Sequence, residues 1–239
     1  MRGLKDTGAG FPGKGPQVRI DRLLRCDRKS IGLVVERDGS LTVRAPKRAG
    51  MGAIDEAVRV KAEWILHKQE QSRGRLLMHP RHGYGEGERF EYLGALYPLA
   101  LSSGAKGVAL VGGGLVAPAG AADKIRDKVC VWYKLEARRV MEERLSLYCA
   151  RMGVSCRAFR LSGARTRWGS CSASGGISLN WRLVAAPVNV IDYVVVHELS
   201  HLFYLDHSAA FWKTVEQALP DYRRLRAWLK EHQALLECF

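Results

Sequence analysis

The sequence predicts an α+β protein. Its C-terminal part combines helices with a small antiparallel sheet, and a β-rich N-terminal region with one helix precedes it. Three observations lead there. IGLVVERDGSLTVRAP, from Ile31, sets β-branched runs on either side of Asp38-Gly39, a strong tight-turn signal. Residues 123–152 carry an unbroken helical pattern, apolar at Ile125, Val129, Trp132, Leu135, Val140, Met141, Leu145 and Tyr148, with Gly153 as its C-terminal stop. After that the pattern reads strand, hairpin, helix and two shorter helices. The organisation expected is a flexible tail at 1–16, the β-rich region at 17–120 and a second domain at 121–239.

In chain order, MRGLKDTGAGFPGKGPQ has charge and glycine but no apolar core, so it reads as a tail rather than a secretory signal. The hairpin comes next, then a helix over 55–71 with Val58, Ala62, Ile65 and Leu66 on one face. FEYLGALYPLAL turns at Gly94, and VALVGGGLVAP turns within Gly112-Gly113-Gly114. Beyond the long helix, CRAFRLSG leads into RWGSCSASGGISLNWRLV. There Ile177, Leu179, Trp181 and Leu183 alternate as in a half-buried strand, and Ser174-Gly175-Gly176 supplies a turn. Pro187 suits the first turn of a helix filled by VNVIDYVVVHELSHLFY.

Composition narrows the classes. The stretch VALVGGGLVAPAGAA is too short and glycine-rich to span a membrane. The six cysteines form no CxxC pair, which excludes a zinc ribbon or disulfide scaffold and fits reduced thiols in a cytoplasmic protein. The net charge of +14 is the abnormal bulk property. It favours anionic partners, nucleotides or nucleic acid among them, and equally describes an ordinary solvated basic surface.

The chemistry concentrates in HELSHLFYLDH, residues 197–207. Residues four apart share a helix face, so His197 and His201 offer two imidazoles to one ion. Glu198 beside them is placed to deprotonate the attacking water rather than to bind metal. A catalytic zinc takes three protein ligands and keeps one position open. On a straight helix residue 207 would stand about 240° round and roughly 9 Å along from His201, so the chain must turn after about Tyr204. Asp206-His207-Ser208 precedes a new helical segment that Ser208 can cap, putting His207 at a corner. His207 is the leading third ligand, with Asp206 and Glu216 as alternatives. The bland alternative is a helix end with incidental histidines. It is weakened by VIDYVVV, whose apolar, β-branched run marks a buried helix where two histidines and a glutamate are costly.

RWGSC (167–171), GISLNW (176–181), IDYVVVHELSH (191–201), DHS (206–208) with Phe211-Trp212, Pro220-Asp221-Tyr222 and Trp228 resemble the YgjP-like metal-dependent hydrolases, small zincins related to the SprT and WLM groups. The match is specific from about residue 160 onward; Tyr92-Leu93-Gly94 with Tyr97 is a weaker echo. The resemblance implies a minimal zincin with zinc on His197, His201 and His207 and Glu198 as base. Metzincins share the ten-residue spacing. Here, however, Tyr204 stands where they have glycine, and no methionine comes after the motif.

The leading expectation is a zinc-dependent hydrolase acting on peptide bonds, since the SprT-like relatives are metalloproteases. Arg165, Arg167 and Tyr204 are candidate substrate or oxyanion contacts. A strand edge beside the helix suits backbone pairing with an extended peptide. Trp168 and Trp181 read as core or cleft-wall aromatics and Cys171 as a packed thiol. The alternatives are a metal-dependent nucleoside triphosphate pyrophosphatase and a DNA-associated zinc protein.

Overall fold

The computed structural model describes residues 18–36, 38–78, 82–236 and 238–239; the tail expected over 1–16 lies outside them. Two compact units emerge, Met1–Leu77 and Met78–Phe239.

In the first unit, strand β2 (Gly32–Val35) pairs antiparallel with β3 (Leu41–Pro46). Asp38 Oδ1 accepts from the Ser40 amide at 2.9 Å, and Gly39 takes φ 83°, so the Asp-Gly turn closes as its chemistry dictates. Strand β1 (Arg22–Cys26) adds parallel to the other edge of β3, an element the hydrophobic pattern does not announce. Leu41, Val43 and Ala45 point to one face and are buried with Ile54, Val58 and Ile65. These last come from two helices where the pattern predicts one: α1 (Met51–Val60) and α2 (Ala62–Met78), separated by a turn at Lys61. Ala62 and Ile65 of the second helix are buried as expected, while Leu66 is exposed.

The second unit begins with a four-stranded sheet in the order β4-β5-β7-β6. Its strands are β4 (Arg89–Tyr92), β5 (Ala95–Ser102), β6 (Ala109–Val111) and β7 (Gly114–Pro118). Next comes helix α3 (Ala122–Met152), which ends on Gly153 in the left-handed conformation. Phe90, Tyr92, Leu99 and Leu115 share one core with Val129, Tyr133, Val140 and Met141, and the Tyr133 hydroxyl donates to the Glu91 carbonyl at 2.6 Å. These strands therefore belong with α3 and the C-terminal elements. The two compact units divide between 77 and 78, whereas the sequence pattern suggests residue 120. Leu135, expected on the apolar face of α3, is exposed.

The remaining strands are β8 (Ala158–Ser162), β9 (Gly169–Cys171) and β10 (Gly176–Asn180). Their sheet is mixed rather than antiparallel: β10 runs parallel to β8 on one side and antiparallel to β9 on the other. The strand expected to continue through Trp181 and Leu183 stops at Asn180, whose side chain accepts from the Arg182 amide and opens a 3₁₀ turn over Trp181–Ala185. Trp181 and Leu183 are buried all the same. Three helices complete the unit: α4 (Val188–Ser200), α5 (Ala209–Ala218) and α6 (Tyr222–Glu231). No helix among the described residues is long and apolar enough to cross a membrane.

Candidate metal centre

Helix α4 is apolar on nearly every side; Val190, Ile191, Val194, Val195, Val196 and Leu199 are all buried. Such a helix has to be packed all round, which fixes the direction in which its last turn points. A bidentate ion pair locks it further. Arg144 on α3 donates through Nε and Nη2 to the two carboxylate oxygens of Asp192 at 2.5 and 2.8 Å. Asp192 is buried, and the pair holds the Arg144 pKa above its usual range.

The helix ends sooner than the pattern HELSHLFY suggests. His201 is already its C-cap, and the amides of His201, Leu202 and Phe203 bond three residues back, to Glu198, Leu199 and Ser200. This tightening turns the chain early. A short loop then carries His207 back to His197, Nε2 to Nε2 3.2 Å, and Ser208 caps α5 by accepting from the Phe211 amide. Ligand nitrogens of His197, His201 and His207 all lie within 4.8 Å of one another, and the three are the only such group among the described residues. Asp206 accepts from the Ser208 amide, and Glu216 pairs with Arg223 at 3.4 Å, so neither alternative ligand is in the cluster.

The cluster suits a metal ion. Tetrahedral zinc with nitrogens about 2.05 Å away spaces them about 3.3 Å apart, and the His197–His207 edge meets that. His201 Nδ1 donates to the Tyr204 carbonyl at 3.0 Å, which fixes the tautomer and leaves Nε2 as a lone pair. Burial, with His201, His207 and Arg226 adding to it, lowers the His197 pKa to about 3. His207 is lowered too, by burial first and then by His201. Neutral imidazoles are what a metal requires. Phe211, fully buried, sits under all three rings with centroids 5.0, 4.6 and 4.8 Å away. The sequence pattern gives Phe211 no part in the site, though the Ser208 cap predicts the helix that carries it.

Glu198 is buried beside the cluster, and its backing is a strand rather than a side chain. A Cβ on Gly169 of β9 would stand 2.5 Å from Glu198 Oε1, so only glycine allows this approach. Burial pushes the Glu198 carboxyl up to about 7, against an opposing pull from the Arg167 charge. Arg167 and Arg165 are exposed in the loop before β9. That loop is tied down by the fully buried Asn180, whose Nδ2 donates to the carbonyls of Ala164 at 2.5 Å and Arg167 at 3.1 Å. Tyr204 is exposed, and its carbonyl is what touches the site. Cys171 is half-buried, with its thiol pushed up by burial first and Glu198 second, as befits an unreactive thiol.

Beside the cluster lies a cleft of about 300 Å³. His197, Glu198, Trp168 and Tyr193 line one part, and Arg226 and Lys230 of α6 line another. Trp168 is thus a cleft wall while Trp181 is core. The α6 residues are inconspicuous in the sequence, where they look like any solvated helix face.

A search of curated proteins found no match. Among solved structures, the crystal structure of the metallopeptidase zymogen of Pyrococcus abyssi abylysin matches with 22% identity and a TM-score of 0.36, over 39% of this chain and 95% of that one. The model of the YgjP-like metallopeptidase domain matches residues 29–232, the whole histidine cluster included, and the chain belongs to that family of metal-dependent peptidases.

Proposed function

We propose that this protein is a zinc-dependent peptidase in which His197, His201 and His207 hold the metal and Glu198 is the general base. The observation that carries the reading is the convergence of three imidazoles within 4.8 Å at the end of a buried helix, with a buried carboxylate next in sequence. Three nitrogen ligands leave a fourth position open, the arrangement of a catalytic site rather than a closed structural one.

Zinc bound there supplies Lewis acidity, lowering the pKa of water and polarising the scissile carbonyl. Glu198 takes the proton of the attacking water and delivers it to the leaving amine. Its backing by Gly169 holds the carboxylate in one orientation. β9 lies at the edge of its sheet, and an extended peptide can pair along that edge. Arg165, Arg167 and Tyr204 are the candidates for contacting the substrate or stabilising the oxyanion.

The test is metal content and peptide cleavage for wild type, His207→Ala and Glu198→Gln. The reading expects about one zinc per chain in wild type and Glu198→Gln, much less in His207→Ala, and cleavage in wild type only. A wild type that takes up no metal, or a Glu198→Gln protein that cleaves as fast as wild type, would sink it.

A further inference from the structure

Helix α6 places two cations, Arg226 and Lys230, in the wall of the cleft. Arg226 and Lys230 stand four residues apart, on one face, and both line the cleft that His197 and Glu198 also line. Neighbouring arginines on the same helix are satisfied: Arg223 pairs with Glu216 at 3.4 Å and Arg224 with Asp221 at 2.8 Å. No carboxylate among the described residues pairs with Arg226 or Lys230. The Arg226 guanidinium lies over the Trp212 ring at 4.8 Å, and that ring is 5.8 Å from both His197 and His207. Stacking holds the plane of the guanidinium while leaving its edge, which carries the donors, for a ligand. Tyr193, Val194, Leu229 and Trp168 give the cleft apolar wall, and Gln233 is its one neutral amide side chain. Glu198 is the one acidic group of the lining.

Two cations that pair with no carboxylate among the described residues, beside a site for a dication, repel what the site must bind. A ligand with a carboxylate offsets that repulsion, and a neutral one leaves the guanidinium desolvated and unmatched. Resting on the peptidase reading, we propose that Arg226 and Lys230 form a carboxylate-binding subsite, so that the substrates are peptides with an acidic side chain or a free C-terminal carboxylate next to the scissile bond. Arg226 gives the directional, two-pronged contact and Lys230 the mobile charge. The net charge of +14 favours encounter with acidic chains.

The test reads binding, so it does not depend on turnover. Three peptides share one apolar core sequence: one with Glu and both ends blocked, one with Gln in its place and both ends blocked, one with Gln and a free C-terminus. Calorimetry measures each against zinc-loaded Glu198→Gln protein and against metal-free wild type. We expect the Glu peptide, the free-C-terminus peptide or both to bind about ten- to a hundredfold tighter than the blocked Gln peptide. Which of the two gains affinity identifies the carboxylate. Arg226→Gln and Lys230→Gln should each remove most of the preference, and Arg226→Glu should turn it toward a Lys-containing peptide. Circular dichroism and the zinc content of each variant separate loss of the subsite from loss of the fold. Equal binding of all three peptides, no binding of any, or a preference that survives both Gln substitutions overturns the proposal. Cleavage without preference removes the subsite and leaves the peptidase. Preference without cleavage by zinc-loaded wild type removes the peptidase and leaves the subsite.

Discussion

Gly169 and Glu198 touch: no side chain fits between the β9 backbone and the carboxylate at the turn of α4. Strand and helix meet there with Glu198 as the whole of the spacing. Gly169→Ala must therefore push the carboxylate out of place, because the closest clash is with Oε1 itself. Misplacement by about 1 Å costs on the order of a hundredfold in rate. Cleavage should fall by about that factor while zinc content stays at the wild-type level, checked by peptide kinetics beside metal analysis.

Metal and fold are linked. On the proposed reading zinc binds the assembled cluster and not the unfolded chain, so saturating it should stabilise the protein by about 4 kcal/mol when free zinc is a thousand times the dissociation constant. Thermal melts with and without zinc should show the shift in wild type and in Glu198→Gln. His201→Ala and His207→Ala should lose most of it.

Half-buried His197 and buried Glu198 make the stability of the metal-free protein depend on pH in opposite senses. His197, lowered from 6.5 to about 3, takes its proton more readily when unfolded. Its contribution is intact above about pH 6.5 and is lost as pH falls toward 3. Glu198, raised from 4.5 to about 7, keeps its proton more tightly when folded. Its contribution is intact below pH 4.5 and lost as pH rises to 7. Glu198→Gln removes only the second effect. The variant should gain on wild type between pH 4.5 and 7, by at most roughly 3 kcal/mol above pH 7. Urea unfolding of both proteins across that range checks it, and parallel curves would mean that the carboxyl is not desolvated.

Breaking the Arg144–Asp192 pair leaves the half-buried Arg144 with only the exposed carboxylate of Glu143, 3.9 Å away, to face. Asp192→Ala should cost about 1–3 kcal/mol, whereas the double change Arg144→Met, Asp192→Leu should recover most of that. Chemical denaturation of the single and double variants measures both.

Much of this architecture is legible in the sequence because periodicity reports burial directly. Ile125, Val129, Val140, Met141, Leu145 and Tyr148 mark the inner face of α3 and are buried. Leu135 has the same hydrophobicity and faces water, since surface leucines are common and the pattern cannot discount them. The alternation Ile177, Leu179, Trp181, Leu183 fits a strand, and a 3₁₀ turn buries its last two members equally well. What ends the strand is the Asn180 side chain on the Arg182 amide, a contact that alternation does not register. Pairing direction is likewise invisible: β8 and β10 are parallel because of what lies between them, not because of their residues. The histidines stand out because metal ligation demands fixed spacing. The cations of α6 carry no such signature and acquire meaning only through what they face.

The turn between β4 and β5 has a wider consequence. Leu93 and Gly94 donate their amides to the carbonyls of Val184 and Ala185, and a Cβ on Gly94 would stand 2.9 Å from Pro187 Cα. This hairpin, almost a hundred residues upstream, grips the chain where the histidine-bearing helix begins. A fragment started at residue 121 would keep His197, Glu198, His201 and His207 and lose the clamp behind them. On the proposed reading, the smallest active piece of this protein is set by where the helix is anchored and not by where its motif is written. Transplanting the motif into another scaffold would require bringing that hairpin along.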